Sequence, residues 1–243
     1  KSSVIWQYQK ESESSVKKTF LQLLAILICG LIFRLLLLSL IHNPGLNDQN
    51  HYYNLGRRLL EGQGFTIDYV WQSSHVPDDI VHPIAHWMPL AGVAVALGMS
   101  LGGINPHSAL ILFIIAGTLL PLLVFIACRQ LQMRDFTALI TTTFAMFLPD
   151  IVWNSLRSDS TILNMVFITG SILLLNHGLQ RGKWWTFVLS GIGVGLAYLT
   201  RNDSVLFLPM LAVVILCYLL WGRDRVTYQT LGSAFILTIV AFV

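Results

Sequence analysis

A polytopic, all-α bundle of membrane-spanning helices is the fold class this sequence predicts, and three observations predict it. Of its 243 residues, 55% are hydrophobic and only 11% are charged. With a mean hydropathy of +0.68, the chain is more apolar than a soluble domain needs to be. Runs able to cross the roughly 30 Å hydrocarbon core recur near 19–41, 106–128, 136–153, 161–178, 184–200 and 203–221, with one more starting near 230. The connections alternate in kind: "CRQLQMRD", "LQRGKW" and "WGRDR" are short and basic, whereas the others carry acids, amides and hydroxyls.

In chain order, residues 1–18 are polar and of mixed charge and read as a cytoplasmic amino-terminal segment; residues 19–243 read as the membrane module. The first apolar run is too long for the h-region of a cleaved signal peptide and is expected to stay as a helix. The chain starts without methionine and stops inside an apolar run, so it reads as a piece of something longer. Cys29, Cys128 and Cys217 lie in apolar runs and are expected to be small buried hydrophobes rather than a disulfide or metal set. A formal charge of +3 on scattered basic residues gives no nucleic-acid groove.

Trp87–Gly102 is apolar but short, and whether it crosses decides the sidedness of everything after it. If it does not cross, Lys1, Lys10, Lys17, Lys18, Arg129, Arg134, Arg181, Lys183, Arg223 and Arg225 share one side, against Arg57, Arg58, Arg157 and Arg201 on the other. If it crosses, the basic residues split almost evenly, which the positive-inside rule disfavours. The segment is therefore expected to be interfacial, inside an outer-face loop 42–105. The polar stretches 154–160 ("NSLRSDS") and 199–204 ("LTRNDS") then share the outer face with that loop.

Within the loop, "NPGLNDQNHYYNLGRRLLEGQGF" predicts a short amphipathic helix on the membrane surface. Asn47 or Asp48 would cap it, Tyr52, Leu55 and Leu59 would form its apolar face, and Gly62 would close it. Asn50, Asn54, Arg57 and Glu61 take the other face. Asp48 and Asp159 each have a plain reading as a helix cap. Both are also carboxylates beside the hydrocarbon boundary, where a general base or substrate-orienting group would sit. Arg34, inside the first span, would snorkel to the headgroups; alternatively Arg34, Arg57, Arg58 and Arg201 converge on a phosphate, which guanidinium grips bidentately. His82 and His86 have i, i+4 spacing that would suit a metal if helical, with His75, Asp78 and Asp79 nearby; hydrogen-bonding histidines in a loop covering a site are the plainer reading. Gly191, Gly193 and Gly195 follow no strand, so Gly191 and Gly195 read as a helix-packing face rather than a nucleotide loop.

The order of "HYYNLGRRLLEGQGF" after an Asp, then "HPIAHWMPLAG", "LPDIVWNSLRSDSTILNM" and "GIGVGLAYLTRNDSVLFLP", resembles the membrane half of C-type glycosyltransferases. It is most similar to the bacterial branch of protein O-mannosyltransferases and lipid A aminoarabinose transferases. The resemblance covers about residues 19–221. It implies inverting sugar transfer from a polyprenyl-phosphate donor to a lipid, glycan or protein acceptor, in the plasma membrane and at its outer face. It implies Asp48 as the catalytic carboxylate and Asp159 as the second acid. Arg57, Arg58 and Arg201 become candidates for the carrier phosphate, and Tyr52, His82 and His86 join them as candidate substrate contacts. No cofactor is required by this chemistry, and a divalent metal stays an open alternative. Another lipid-carrier transferase such as an O-antigen ligase, or a non-catalytic lipid-binding or transport subunit, would share the architecture. A transporter should, however, show an internal repeat and polar residues at mid-membrane in several helices. The topology is checked by thiol labelling: cysteines at Ser158 and Asn202 are expected to react with an impermeant reagent from outside, and one at Gln180 is not.

Overall fold

The computed structural model describes residues 2–70, 79–84, 87–221 and 227–242. Among the described residues the chain is a helical bundle with one two-residue strand pair. Helix α1 (Ser2–Leu38) is continuous from the polar amino terminus into the first apolar run, so the helix starts well before residue 19. Then come α2 (Asp48–Leu60), a two-residue antiparallel pair β1 (Thr66–Ile67) and β2 (His82–Pro83), α3 (Leu90–Gly102), the single turn α4 (Pro106–Ala109) and α5 (Ile111–Gln130). The rest is α6 (Asp135–Phe147), α7 (Pro149–Ser155), α8 (Ser160–Arg181), α9 (Trp184–Thr200), a 3-10 turn at Asn202–Leu206, α10 (Phe207–Trp221) and α11 (Tyr228–Phe242).

Among the described residues, Ser15–Leu38, Pro106–Gln130 and Ser160–Arg181 are long and apolar enough to cross a membrane unaided. The run expected at 136–153 is instead two helices, α6 and α7, bent by 54°. Pro149 causes the break: it has no N–H to give, and its ring clashes with the carbonyl four residues back. Pro149 opens α7, the position where a missing N–H costs nothing. Helix α3 has 13 residues and by its rise is about 20 Å long, short of the hydrocarbon core. It does not lie open on a surface, because Ala91, Val95 and Met99 are buried against α2 and α5.

Exposed apolar side chains such as Phe20, Leu36, Phe144 and Ile236 cover the outside of the bundle, as a lipid-facing surface requires. Cys29 and Cys217 lie on that exposed surface and only Cys128 is buried. In a membrane helix an apolar run marks contact with lipid as readily as contact with protein, which is why the expectation of three buried thiols fails.

Glycines set the closest approaches. A Cβ on Gly191 would lie 2.3 Å from the Thr238 carbonyl oxygen of α11, and one on Gly195 would lie 3.3 Å from that of Phe242. Their role in helix packing is thus met. Gly56 of α2 and Gly92 of α3 do the same where the helix carrying Asp48 seats: added Cβ atoms would come within 2.4 Å of Val95 and Leu55 side-chain atoms, respectively. Beyond α2, the amides of Gly62 and Gln63 reach back to the carbonyls of Leu59 and Arg58 (3.1 and 2.9 Å). Gly62 adopts φ +76° there, closing the helix as its position suggested. Gly56→Ala is expected to push α2 off α3 and cost about 1–3 kcal/mol, the usual range for overpacking, measured by unfolding in detergent.

Candidate active site

Three polar segments meet at one end of the bundle: the start of α2, the loop 156–159 between α7 and α8, and the junction 201–204 after α9. Ser158 is buried and its hydroxyl donates to the Gln49 carbonyl (3.1 Å), tying the α7–α8 loop to the first turn of α2. Because Ser158 is buried, Asn202, which is exposed, is the better labelling position of the two on that face. Asn164 of α8 donates to the Ala197 carbonyl and the Thr200 hydroxyl (both 3.2 Å), and also to the Ser204 hydroxyl, fixing the α9 junction against α8.

Asp159 caps α8. Its Oδ1 accepts from the Thr161 amide (3.0 Å) and hydroxyl (2.8 Å), while its Oδ2 lies 3.6 Å from Arg157 Nη2. Asp48 is different. Asn47, not Asp48, is the N-cap of α2, with φ 55° and no side-chain capping bond. No other side chain among the described residues donates to the Asp48 carboxylate, which is held above the usual carboxylate range by burial and then by the negative charge of Asp159, against the pull of Arg157 and Arg201. One carboxylate is committed to a helix start and the other is available to take a proton.

Tyr52 lies fully buried one turn along α2, and burial pushes its hydroxyl up to about 12, with Asp159 and Asp48 adding to burial and the Ser160 hydroxyl opposing it. His51 packs edge-on and Trp87 tilted against it, and Tyr69 packs edge-on against His51, with His51 Nδ1 3.1 Å from Tyr69 Oη.

Arg57 and Arg58 are not part of this cluster. Both pair with Asp68, Arg58 at 3.3 Å, and Arg58 Nε also donates to Thr66 Oγ1 (2.8 Å). Asn54 donates to the other Asp68 oxygen. These side chains strap the strand pair onto α2. Nine positions along a helix also carry Arg57 about 13 Å from Asp48 by rise alone. Arg201 faces the cluster but holds Asp203 through Nε (3.2 Å) and Nη2 (2.9 Å), leaving Nη1 without a protein partner among the described residues. His82 sits in β2 rather than in the helix that an i, i+4 pair would need, with Nδ1 3.0 Å from the Ile80 carbonyl. His86, His75 and Asp78 lie outside the described residues. Among the described residues no three His, Cys, Asp or Glu side chains cluster as metal ligands.

The sequence reading passed over Arg157. It lies 5.4 Å over the Trp153 ring, and its Nε is buried with no hydrogen-bond partner. Its position two residues before Asp159 was the available signal. Arg157 and Ser158 line the mouth of an apolar groove of about 650 Å³, walled by Phe33, Leu37, Leu40, Phe147 and Val152 among others. The site thus sets an unsatisfied guanidinium N–H beside an apolar groove whose lining includes Gln49, the chain neighbour of the Asp48 carboxylate.

Residues 81–243 match the dolichyl-phosphate-mannose-protein mannosyltransferase family. The chain belongs to that family. The match takes in Asp159, Arg157 and Arg201, and the segment carrying Asp48 precedes it. A curated relative, the undecaprenyl phosphate-alpha-4-amino-4-deoxy-L-arabinose arabinosyl transferase of Pseudomonas aeruginosa (strain UCBPP-PA14), is 26% identical over 189 residues, covering 75% of this chain and 32% of the relative. The chain therefore spans about a third of that relative's length. No solved structure matches it significantly. Family membership and the apolar helices together make this mannosyltransferase-family chain an integral membrane protein.

The Asp48 environment has a sign that can be tested. Its folded-state pKa is raised, so the folded state favours the protonated carboxyl, and that stabilisation is complete below the ordinary value near 3.9 and is lost as pH rises through the raised value. Asp48→Asn is expected to raise the melting temperature at neutral pH, with the gain shrinking as pH falls toward about 4. A drop at neutral pH would mean that the charge supports the fold.

Proposed function

We propose that this chain carries the donor end of an inverting glycosyltransferase: a sugar passes from a polyprenyl-phosphate carrier to a lipid, glycan or protein acceptor at the outer face of the plasma membrane. The carrying observation is the available Asp48 carboxylate, its proton affinity raised, in the field of Asp159 and Arg157, with its chain neighbour Gln49 and with Arg157 lining the apolar groove. Membership in a mannosyltransferase family and likeness to a transferase named for an undecaprenyl-phosphate sugar support the same donor class.

In this reading the groove takes the isoprenoid end of the donor and the part-exposed Arg157 guanidinium meets its phosphate. An acceptor hydroxyl or amine attacks the anomeric carbon while Asp48 removes its proton. The bond from that carbon to the phosphate oxygen breaks, the electron pair leaves with polyprenyl phosphate, and Arg157 and Arg201 neutralise the charge in a partly dehydrated site. One displacement inverts the anomeric centre. Asp159 orients Arg157 and keeps the Asp48 proton affinity high. By the positive-inside rule, the basic residues toward the other end, including Arg129 paired with Asp135, support an outer-face site.

Asp48→Asn in the full-length protein is expected to fold, bind the lipid-linked donor and lose turnover by roughly 10²–10⁴-fold, the contribution of a general base. Arg157→Ala is expected to weaken donor use by about 1–3 kcal/mol, and more than Arg201→Ala does, because Arg201 is already engaged with Asp203. Near-normal turnover by Asp48→Asn would move the base elsewhere; equal effects of the two arginine changes would reject the Arg157 assignment.

A further inference from the structure

Arg34 lies in α1 within the first span and is fully buried, and no carboxylate pairs with it among the described residues. It does not snorkel. Its guanidinium is used as a fork across the break between α6 and α7. Nη2 donates to the Met146 carbonyl (3.2 Å), Nη1 to the Gly30 carbonyl and Met146 sulfur (both 3.1 Å), and Nε to Ser155 Oγ (3.0 Å). In an unbroken helix the Met146 carbonyl would accept from the amide four residues on. The bend at Pro149 takes that amide away, and a carbonyl left without a partner in hydrocarbon is costly.

The surroundings are shaped for this fork. A Cβ on Gly30 would fall 2.0 Å from the Met146 sulfur, and one on Gly117 of α5 would fall 2.2 Å from Ser155 Cβ and 3.3 Å from Arg34 Nε. Two helices, α1 and α5, are thus pared back around one cation. Ser155, gripped by Nε, is the last residue of α7, and the chain then passes through Leu156 to Arg157, Ser158 and Asp159. From there Ser158 reaches the Gln49 carbonyl beside Asp48.

We infer that Arg34 is a positioning residue: by holding both helices of the broken span, α6 at Met146 and α7 at Ser155, it fixes the angle at which α7 delivers Arg157, Ser158 and Asp159 to the start of α2. It touches no reacting atom. The effect on transfer rests on the function proposed above, whereas the effect on geometry does not.

The test uses the full-length protein with Cys29, Cys128 and Cys217 changed to Ser and cysteines introduced at Gln49 and Ser158, and follows oxidative cross-linking between the two. In Arg34→Gln the cross-link is expected to form more slowly. Separately, in the protein with its native Gln49 and Ser158, release of polyprenyl phosphate from the lipid-linked sugars of an envelope extract is expected to fall on the order of 10²-fold per folded molecule, the scale of a misplacement near 1 Å. Arg34→Lys keeps the charge, but one ammonium cannot hold Ser155 and Met146 in the same fork, so it is expected to behave like Gln. Unchanged cross-linking in Arg34→Gln, slowed cross-linking with unchanged turnover, or full rescue by Arg34→Lys would each overturn the inference. Should Arg34→Gln fail to fold, Ser155→Ala decides: slower cross-linking supports the clamp, and an unchanged rate overturns it. A fully active Asp48→Asn enzyme would defeat the transfer reading while leaving the cross-linking result to stand on its own.

Discussion

Inside a bilayer, a backbone carbonyl that leaves its helix must find its partner within the protein, because no water is there to supply one. The break between Phe147 and Pro149 exposes that need in the middle of the bundle, and the Arg34 guanidinium meets it from a different helix. Much else depends on the bend so stabilised. A straight span would carry the chain on along one axis; the 54° bend turns α7 into a short strut. Its end lies where the α7–α8 loop can hydrogen-bond to the first turn of α2.

Around that junction, polar side chains divide into those that build and those that are left available. Asp159 is occupied by Thr161, Arg201 by Asp203, and Arg57 and Arg58 by Asp68. The arginine–aspartate pairings neutralise charge locally, as charges near an apolar boundary require. Asp48 and Arg157 Nε stand apart because the folded chain leaves them incompletely satisfied. Unmet hydrogen-bonding capacity in a half-buried position is where a substrate has something to gain, and perturbed groups concentrate at functional sites for that reason.

Membership in the mannosyltransferase family rests on residues 81–243, and the proposed base lies before that stretch. What joins the two is packing: Gly56 and Gly92 let α2 seat closely on α3, and Asn164 holds the α9 junction to α8. The site is therefore a product of contacts between distant parts of the chain, and none of its segments carries it alone.

The positions of the helices were legible in the sequence because hydropathy reports each residue's preference for lipid or water, a local property. The run at 184–200 coincides with α9, and the packing faces of Gly191 and Gly195 could be read from spacing. The pairing of charges was not legible. That Arg34 turns inward to Met146 and Ser155, that Asp68 takes both Arg57 and Arg58, and that Arg157 rather than its neighbours keeps a spare donor all depend on partners brought in by folding. Arg34 and Met146 are separated by 112 positions. Sequence by itself determined that this chain lives in a membrane as a helical bundle with its acids and amides in the connections; only tertiary structure decided which of those groups are consumed by each other, because a hydrogen bond is specified by two positions in space.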